Sequence, residues 1–342
     1  MIKEIEKIVM ENGPRWEIPF FPPRSLFFIK TGGQKKYPGA EPVIFLVFDQ
    51  RGPNPRWVVK VSRRFSTISV LQKEYQQLLY FYHTLSPGLR KSIPRPLLSR
   101  EDAGRFLFVE TGLPGASLSN SVRSGGGASH QREIGKTTKA VKEWLLKFQR
   151  ETREGEVEIT EEWIEENIGA PLDQYRALYP CSADEARFFD QYLENWKPYL
   201  RTRVPLAAHH GNFGAENIRM DGENVFILDW TVSGRKALPF DDILSFISSF
   251  VIDPSERGEG GDMESFDEIF FGRGWFSEQV KEVLVQFFFQ HKLSPGMISQ
   301  VFPLFLINRV IPKTDESPFL HSPRWRERLL FYIQNRGRFI DV

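Results

Sequence analysis

The sequence predicts a two-lobed α+β protein: a small antiparallel sheet with one helix, followed by a larger and mainly helical part. Three observations predict it. Apolar runs rich in β-branched and aromatic residues crowd the first third of the chain, and apolar residues at helical spacing dominate the remainder. The short stretch Thr111-Gly112-Leu113-Pro114-Gly115 separates the two patterns. The expected division is therefore 1–110 for the sheet lobe, 111–115 for a hinge and 116–342 for the helical lobe.

In chain order, Ile2, Ile5, Ile8 and Val9 are spaced for a helix that Asn12-Gly13-Pro14 stops. Leu26–Ile29, Val43–Phe48 and Trp57–Val61 read as three strands of an antiparallel meander. A helix is expected over Ser69–Thr84, with Leu71, Tyr75, Leu78, Leu79 and Tyr82 on one face. Leu97-Leu98 and Phe106–Glu110 supply two more strands. Beyond the hinge, Ser117–Ser129 reads as a Ser/Gly-rich loop. Val141, Trp144, Leu145 and Phe148 then mark an amphipathic helix. Further helices are expected over Ala183–Lys197, Val280–His291, Pro295–Val310 and Arg324–Gln334, with Asn224–Asp229 a short strand among them.

Composition narrows the function classes. Lys plus Arg number 45 against 44 Asp plus Glu, so there is no bulk charge for nucleic acid or an anionic membrane. The single Cys181 excludes an internal disulfide and a multi-thiolate zinc site. No apolar run reaches spanning length and no signal-peptide core is visible, so a cytoplasmic location is expected. The 30 Phe point to aromatic packing. Gly135-Lys136-Thr137 ends like a phosphate loop, but His130 stands where the first glycine belongs, so a solvated helix N-terminus is expected there. The Glu-rich run 151–166 reads as a solvated face or helix start.

The informative stretch is His209-His210-Gly211-Asn212-Phe213-Gly214-Ala215-Glu216-Asn217, followed by Val225–Leu228 and Asp229-Trp230. Polar residues stand at the ends of apolar segments, and Asn217 and Asp229 offer hard oxygen ligands of the kind magnesium uses. An Asx turn at Asn217 and a strand-ending Asp229 would give the same pattern without chemistry.

Order and spacing favour the functional reading. From His210 to Trp230 the sequence resembles the aminoglycoside phosphotransferase / choline kinase-like family, whose fold is protein-kinase-like. Lys60 in Val-Val-Lys-Val is similar to the family's nucleotide-phosphate lysine, and Glu74 to the glutamate that pairs with it. Phe108–Gly115, including Glu110 and Gly112, resembles the hinge that holds adenine, and Leu238–Ile243 resembles the segment after the metal aspartate. The resemblance implies transfer of the γ-phosphate of ATP to a hydroxyl of a small molecule, with Mg²⁺ held by Asn217 and Asp229. It implies Asn212 beside the acceptor hydroxyl and His210 bracing the loop.

Two departures stand out. Thr31-Gly32-Gly33-Gln34-Lys35-Lys36 replaces a glycine-rich phosphate loop, and backbone amides with nearby lysines can still serve. Asn212 occupies the position of the catalytic aspartate and cannot take a proton, with Glu216 the nearest alternative carboxylate. An alternative reading follows: a catalytically impaired pseudokinase that binds nucleotide or a protein partner.

Overall fold

The computed structural model describes residues 1–16, 26–31, 42–48, 52–62, 64–102, 104–118, 128–250, 261–311 and 323–340. The glycine–lysine loop expected beyond Thr31 and most of the Ser/Gly-rich segment lie outside the described residues. Strands β1 (Phe27–Thr31), β2 (Val43–Phe48) and β3 (Trp57–Val61) form the expected meander. With β4 (Pro96–Asp102) and β5 (Arg105–Thr111) they make an antiparallel sheet in the order β1-β2-β3-β5-β4.

Alternation along β3 explains the two roles of this sheet. Trp57, Val59 and Val61 join Val43, Phe45 and Val47 in a core, covered by Ile5, Ile8 and Val9 of helix α1 (Ile2–Asn12). Val58 and Lys60 point to the other face. The register sets Val58 opposite Glu110 and Lys60 opposite Phe108. Cross-strand partners share a face, so the lysine and the glutamate are brought to one face two residues apart.

Helix α2 (Phe65–Thr84) packs against β4 and β5, where Tyr75 meets the rings of Phe106 and Phe108 at 6.5 and 5.7 Å. Its buried stripe runs through Ile68, Leu71, Glu74, Leu78 and Phe81, whereas Tyr75, Leu79 and Tyr82 are half-buried. The expected face is thus rotated, and a carboxylate lies inside it.

The chain divides into two compact units, Met1–Leu118 with Glu216–Ser233, and Ser119–Ala215 with Gly234–Val342. The first includes a hairpin of Ile218–Asp221 and Asn224–Ile227, whose outer partner is the two-residue strand Ala116–Ser117.

The second unit is mainly helical. Its described helices include α3 (Ala128–Glu151), α4 (Ala183–Glu194), α5 (Phe240–Phe250), α6 (Gly261–Phe271), α7 (Trp275–Gln290), α8 (Ile298–Val310) and α9 (Pro323–Asn335). Val141, Trp144, Leu145 and Phe148 of α3 are buried as their spacing predicts. Gly135-Lys136-Thr137 lies inside α3, which corrects the expected helix start. The Glu-rich run contains the strand Glu156–Glu158 and a helix start where Thr160 Oγ1 accepts the Trp163 N–H at 3.0 Å.

Helix α8 is buried on nearly every side, as its all-round apolar sequence requires. Pro303 inside it cannot donate to the Ser299 carbonyl four residues back. That carbonyl instead accepts the Tyr332 hydroxyl of α9 at 3.2 Å, and the Gln300 carbonyl accepts the Tyr192 hydroxyl of α4. Among the described residues no helix is long and apolar enough to cross a membrane.

Candidate functional site

The first unit assembles a buried charge cluster on the second face of its sheet. Lys60 is 5% exposed, and its ammonium forms an ion pair with Glu74 Oε1 of α2. Glu110 Oε1 of β5 lies 3.3 Å from the same nitrogen. The expected Lys60–Glu74 pair is therefore present, and it forms because strand alternation and the α2 stripe aim both side chains at one point. Glu110, expected only as part of the hinge, brings a side chain to the cluster as well. The ammonium also sits 5.3 Å from the Phe108 ring centroid, which favours a cation.

The hairpin carries the two expected metal ligands. Its register pairs Ile218 with Ile227, so Asn217 and Leu228 are next across the ladder, and Leu228 N–H donates to Asn217 O at 2.8 Å. Asn217 and Asp229 are thus brought to the same end of one hairpin. Asp229 has φ +57°, a left-handed conformation that aspartate tolerates better than most residues. Its Oδ1 accepts the Thr231 hydroxyl at 2.6 Å. In the sequence Thr231 is an ordinary threonine two residues beyond a motif and carries no signal.

Charges in the cluster act strongly on one another. Burial lowers the affinity of Lys60 for its proton, but Glu110, Glu74 and Asp229 more than offset it, so the pKa is raised. Glu74 is raised, by burial first, with Lys60 opposing. Glu110 is pushed up to about 7, again by burial, with Lys60 opposing and Glu74 adding. Its Oε2 is buried without a hydrogen-bond partner among the described residues.

This donor set fits a magnesium–nucleotide complex. One ammonium contacts two carboxylates and feels the charge of a third, Asp229, an excess of negative charge that a divalent cation would neutralise. Asn217 and Asp229 supply two hard oxygens, and Mg²⁺ commonly takes the rest from phosphates and water. No group of three His, Cys, Asp or Glu suited to a metal occurs among the described residues, so these ligands alone make an incomplete site.

Gly112 owes its identity to packing. A Cβ there would lie 1.9 Å from the Pro55 carbonyl oxygen, and its N–H donates to Arg56 O at 2.9 Å.

In the second unit, the strand Ala207–His209 leads into the loop carrying His210 and Asn212. His210 is fully buried, with its ring edge-on to Phe213 at 5.8 Å, and Asn212 is half-buried. The loop backbone is held by Asp242 of α5, whose two oxygens accept the N–H groups of His210 at 2.7 Å and Gly211 at 2.9 Å. Asp242 is legible in the sequence only as part of the Leu238–Ile243 resemblance, and its bracing role arises from the tertiary fold. Glu216 is exposed.

No protein-family model matches the chain, and no curated protein matches it by sequence. Solved structures do. One is a thermostable mutant of an aminoglycoside phosphotransferase in ternary complex with ADP and hygromycin B. It shows a TM-score of 0.55 at 14% identity, over 97% of this chain and 98% of that one. The chain has the aminoglycoside phosphotransferase fold. A candidate aminoglycoside phosphotransferase of Ralstonia eutropha JMP134 gives a TM-score of 0.55 at 13% identity, covering 99% of both chains. An amicoumacin kinase in complex with AMP-PNP, Ca²⁺ and Ami gives 0.50 at 14% identity, over 99% of this chain and 97% of that one. At such identities the likeness is one of fold, and the chemistry of this chain has to be argued from its own residues.

Proposed function

We propose that the protein is an ATP-dependent phosphotransferase that passes a γ-phosphate to a hydroxyl of a small molecule. The observation that carries this reading is the buried junction of Lys60 with Glu74 and Glu110, under the electrostatic influence of Asp229, in a chain of this fold. Lys60 would neutralise phosphate charge, and its two carboxylate partners would hold it extended. Asn217 and Asp229 would hold Mg²⁺, which when bound supplies charge neutralisation of the phosphates. Asn212 would accept a hydrogen bond from the acceptor hydroxyl through its side-chain carbonyl. His210 would keep the loop in place by packing, with Asp242 fixing its backbone.

Thermal unfolding tests the binding half of this proposal. ATP with Mg²⁺ should stabilise the protein by about 2.7 kcal/mol at a ligand concentration a hundredfold above Kd, and ATP with EDTA should stabilise it less. Asp229→Ala should remove most of the metal-dependent part. No stabilisation by any nucleoside triphosphate, with or without metal, would overturn it. The amide at position 212 favours a second reading, nucleotide binding without turnover, and the turnover of Asn212→Asp separates the two.

A further inference from the structure

The second unit contains a groove of about 890 Å³ that shares no residue with the site described above. Helices α3 and α7 form its walls, with Pro205 and Ala207 at one end. Lys139, Lys142, Lys147 and Arg150 line it from α3 and Arg153 from just beyond the helix end, and Glu143 and Glu282 are the only carboxylates among the lining residues. Offsets of three, eight and eleven residues keep the four helical cations on one face. The opposite wall carries Gln279, Gln286 and Gln290 of α7, the carboxylate of Glu282, and an aromatic ring, Phe289, that is 71% exposed.

Lys142 is the decisive residue. It is 7% exposed, and its ammonium donates to the neutral Gln286 Oε1. It forms no ion pair among the described residues. The Gln286 amide in turn donates to Glu282 Oε1 at 2.8 Å, so the nearest compensation on that side is relayed through a neutral group. Burial, and more weakly Lys139, lower its pKa, with Glu143 and Glu282 opposing. A charge held this way is costly unless a counter-ion reaches it.

Of the neighbouring cations, Lys139 lies 4.0 Å from Glu143 and Arg153 pairs with Glu156, whereas Lys147 and Arg150 form no ion pair among the described residues. His291 adds no charge. Burial and Arg153 push its imidazole down to about 4, and Nε2 lies 2.9 Å from Gln149 Oε1. The Gln149 amide donates to Pro239 O at 2.9 Å, so the floor is already satisfied.

We propose that this groove binds a small phosphorylated metabolite, with its phosphate held by Lys142, Lys147 and Arg150. From Lys142 to Arg150 the helix rises about 12 Å, a span that their long side chains can close toward one phosphate. The arginine fork and two ammonium groups suit phosphate oxygens. The glutamine amides and Phe289 offer hydrogen bonds and an aromatic face to the organic part.

Calorimetric titration with inorganic pyrophosphate, without added metal, tests the proposal. Binding to the wild type should be measurable at or below about 1 mM and should survive Lys60→Met, which changes the nucleotide site only. It should weaken about tenfold or more in Lys142→Met. It should also weaken in the double variant Lys147→Glu/Arg150→Glu, where one position is half-buried and the other exposed, which keeps the test decisive if Lys142→Met does not fold. Citrate should bind more weakly than pyrophosphate. Three results would each overturn the proposal: no binding by the wild type, binding lost with Lys60→Met but kept in the groove variants, or tighter binding of a 20-nucleotide single-stranded RNA through the same residues.

Discussion

Glu110 shows how one side chain can make the fold sensitive to pH. Its ordinary value is 4.5 and the folded value about 7, raised chiefly by burial. Below 4.5 folded and unfolded chains are both protonated. Between 4.5 and 7 the folded protein keeps a proton that the unfolded chain has released, so stability falls as pH rises through this window. Above 7 the buried anion is present in full. The loss attributable to Glu110 between pH 5 and 8 is expected to reach about 3 kcal/mol. Urea unfolding at stepped pH should show Glu110→Gln with a flatter profile than the wild type, and equal slopes would refute the assignment. At Asn212 the question is chemical. Asn212→Asp keeps the shape and restores a proton acceptor, so turnover with ATP and Mg²⁺ should rise ~10²–10⁴-fold. A variant that folds and binds nucleotide but gains nothing would leave the pseudokinase reading in possession.

At the scale of elements, the fold repairs what individual residues break. Pro303 removes a hydrogen bond from α8, and the freed Ser299 carbonyl is met by Tyr332 of α9. Tyr332→Phe should therefore cost about 1–2 kcal/mol in urea unfolding, more than loss of an exposed hydroxyl would. Asp242 works similarly between α5 and the 210–212 loop. Asp242→Ala orphans two backbone donors and should cost about 2–4 kcal/mol while lowering turnover beyond what the stability loss explains. Strand and helix periodicity was legible for most of these elements, including the β1–β3 meander and α3. Short pairings such as Glu156–Glu158 with Arg203–Pro205 were not, because three residues carry too little pattern to reveal a partner some 45 positions away.

For the whole molecule, the abundance of Phe is explained by the second unit. Phe302, fully buried, lies 4.5 Å from Phe270, 4.8 Å from Phe339 and 5.6 Å from Tyr332 by ring centroids, joining α6, α8, α9 and the C-terminal turn. Phe302→Ala should cost about 3–5 kcal/mol, because rings from several elements cannot all collapse into the space left. The first unit is discontinuous, since residues 216–233 belong with 1–118. A fragment ending at residue 118 would lack the 216–233 segment, and with it both expected metal ligands.

By itself the sequence determined the α+β class, most of the long elements, and the ordered set Lys60, Glu74, Asn217 and Asp229. These are local properties: periodicity needs only neighbours, and spaced motifs need only order. Tertiary structure alone decided that Glu110 joins Lys60, that Asp242 holds the loop and that Lys142 is buried beside a groove without an ion pair. It also decided that the 216–233 segment belongs with the N-terminal sheet. The physical reason is the same in each case. Burial and charge compensation depend on which distant side chains share a volume, and register, helix rotation and packing set that, not position along the chain.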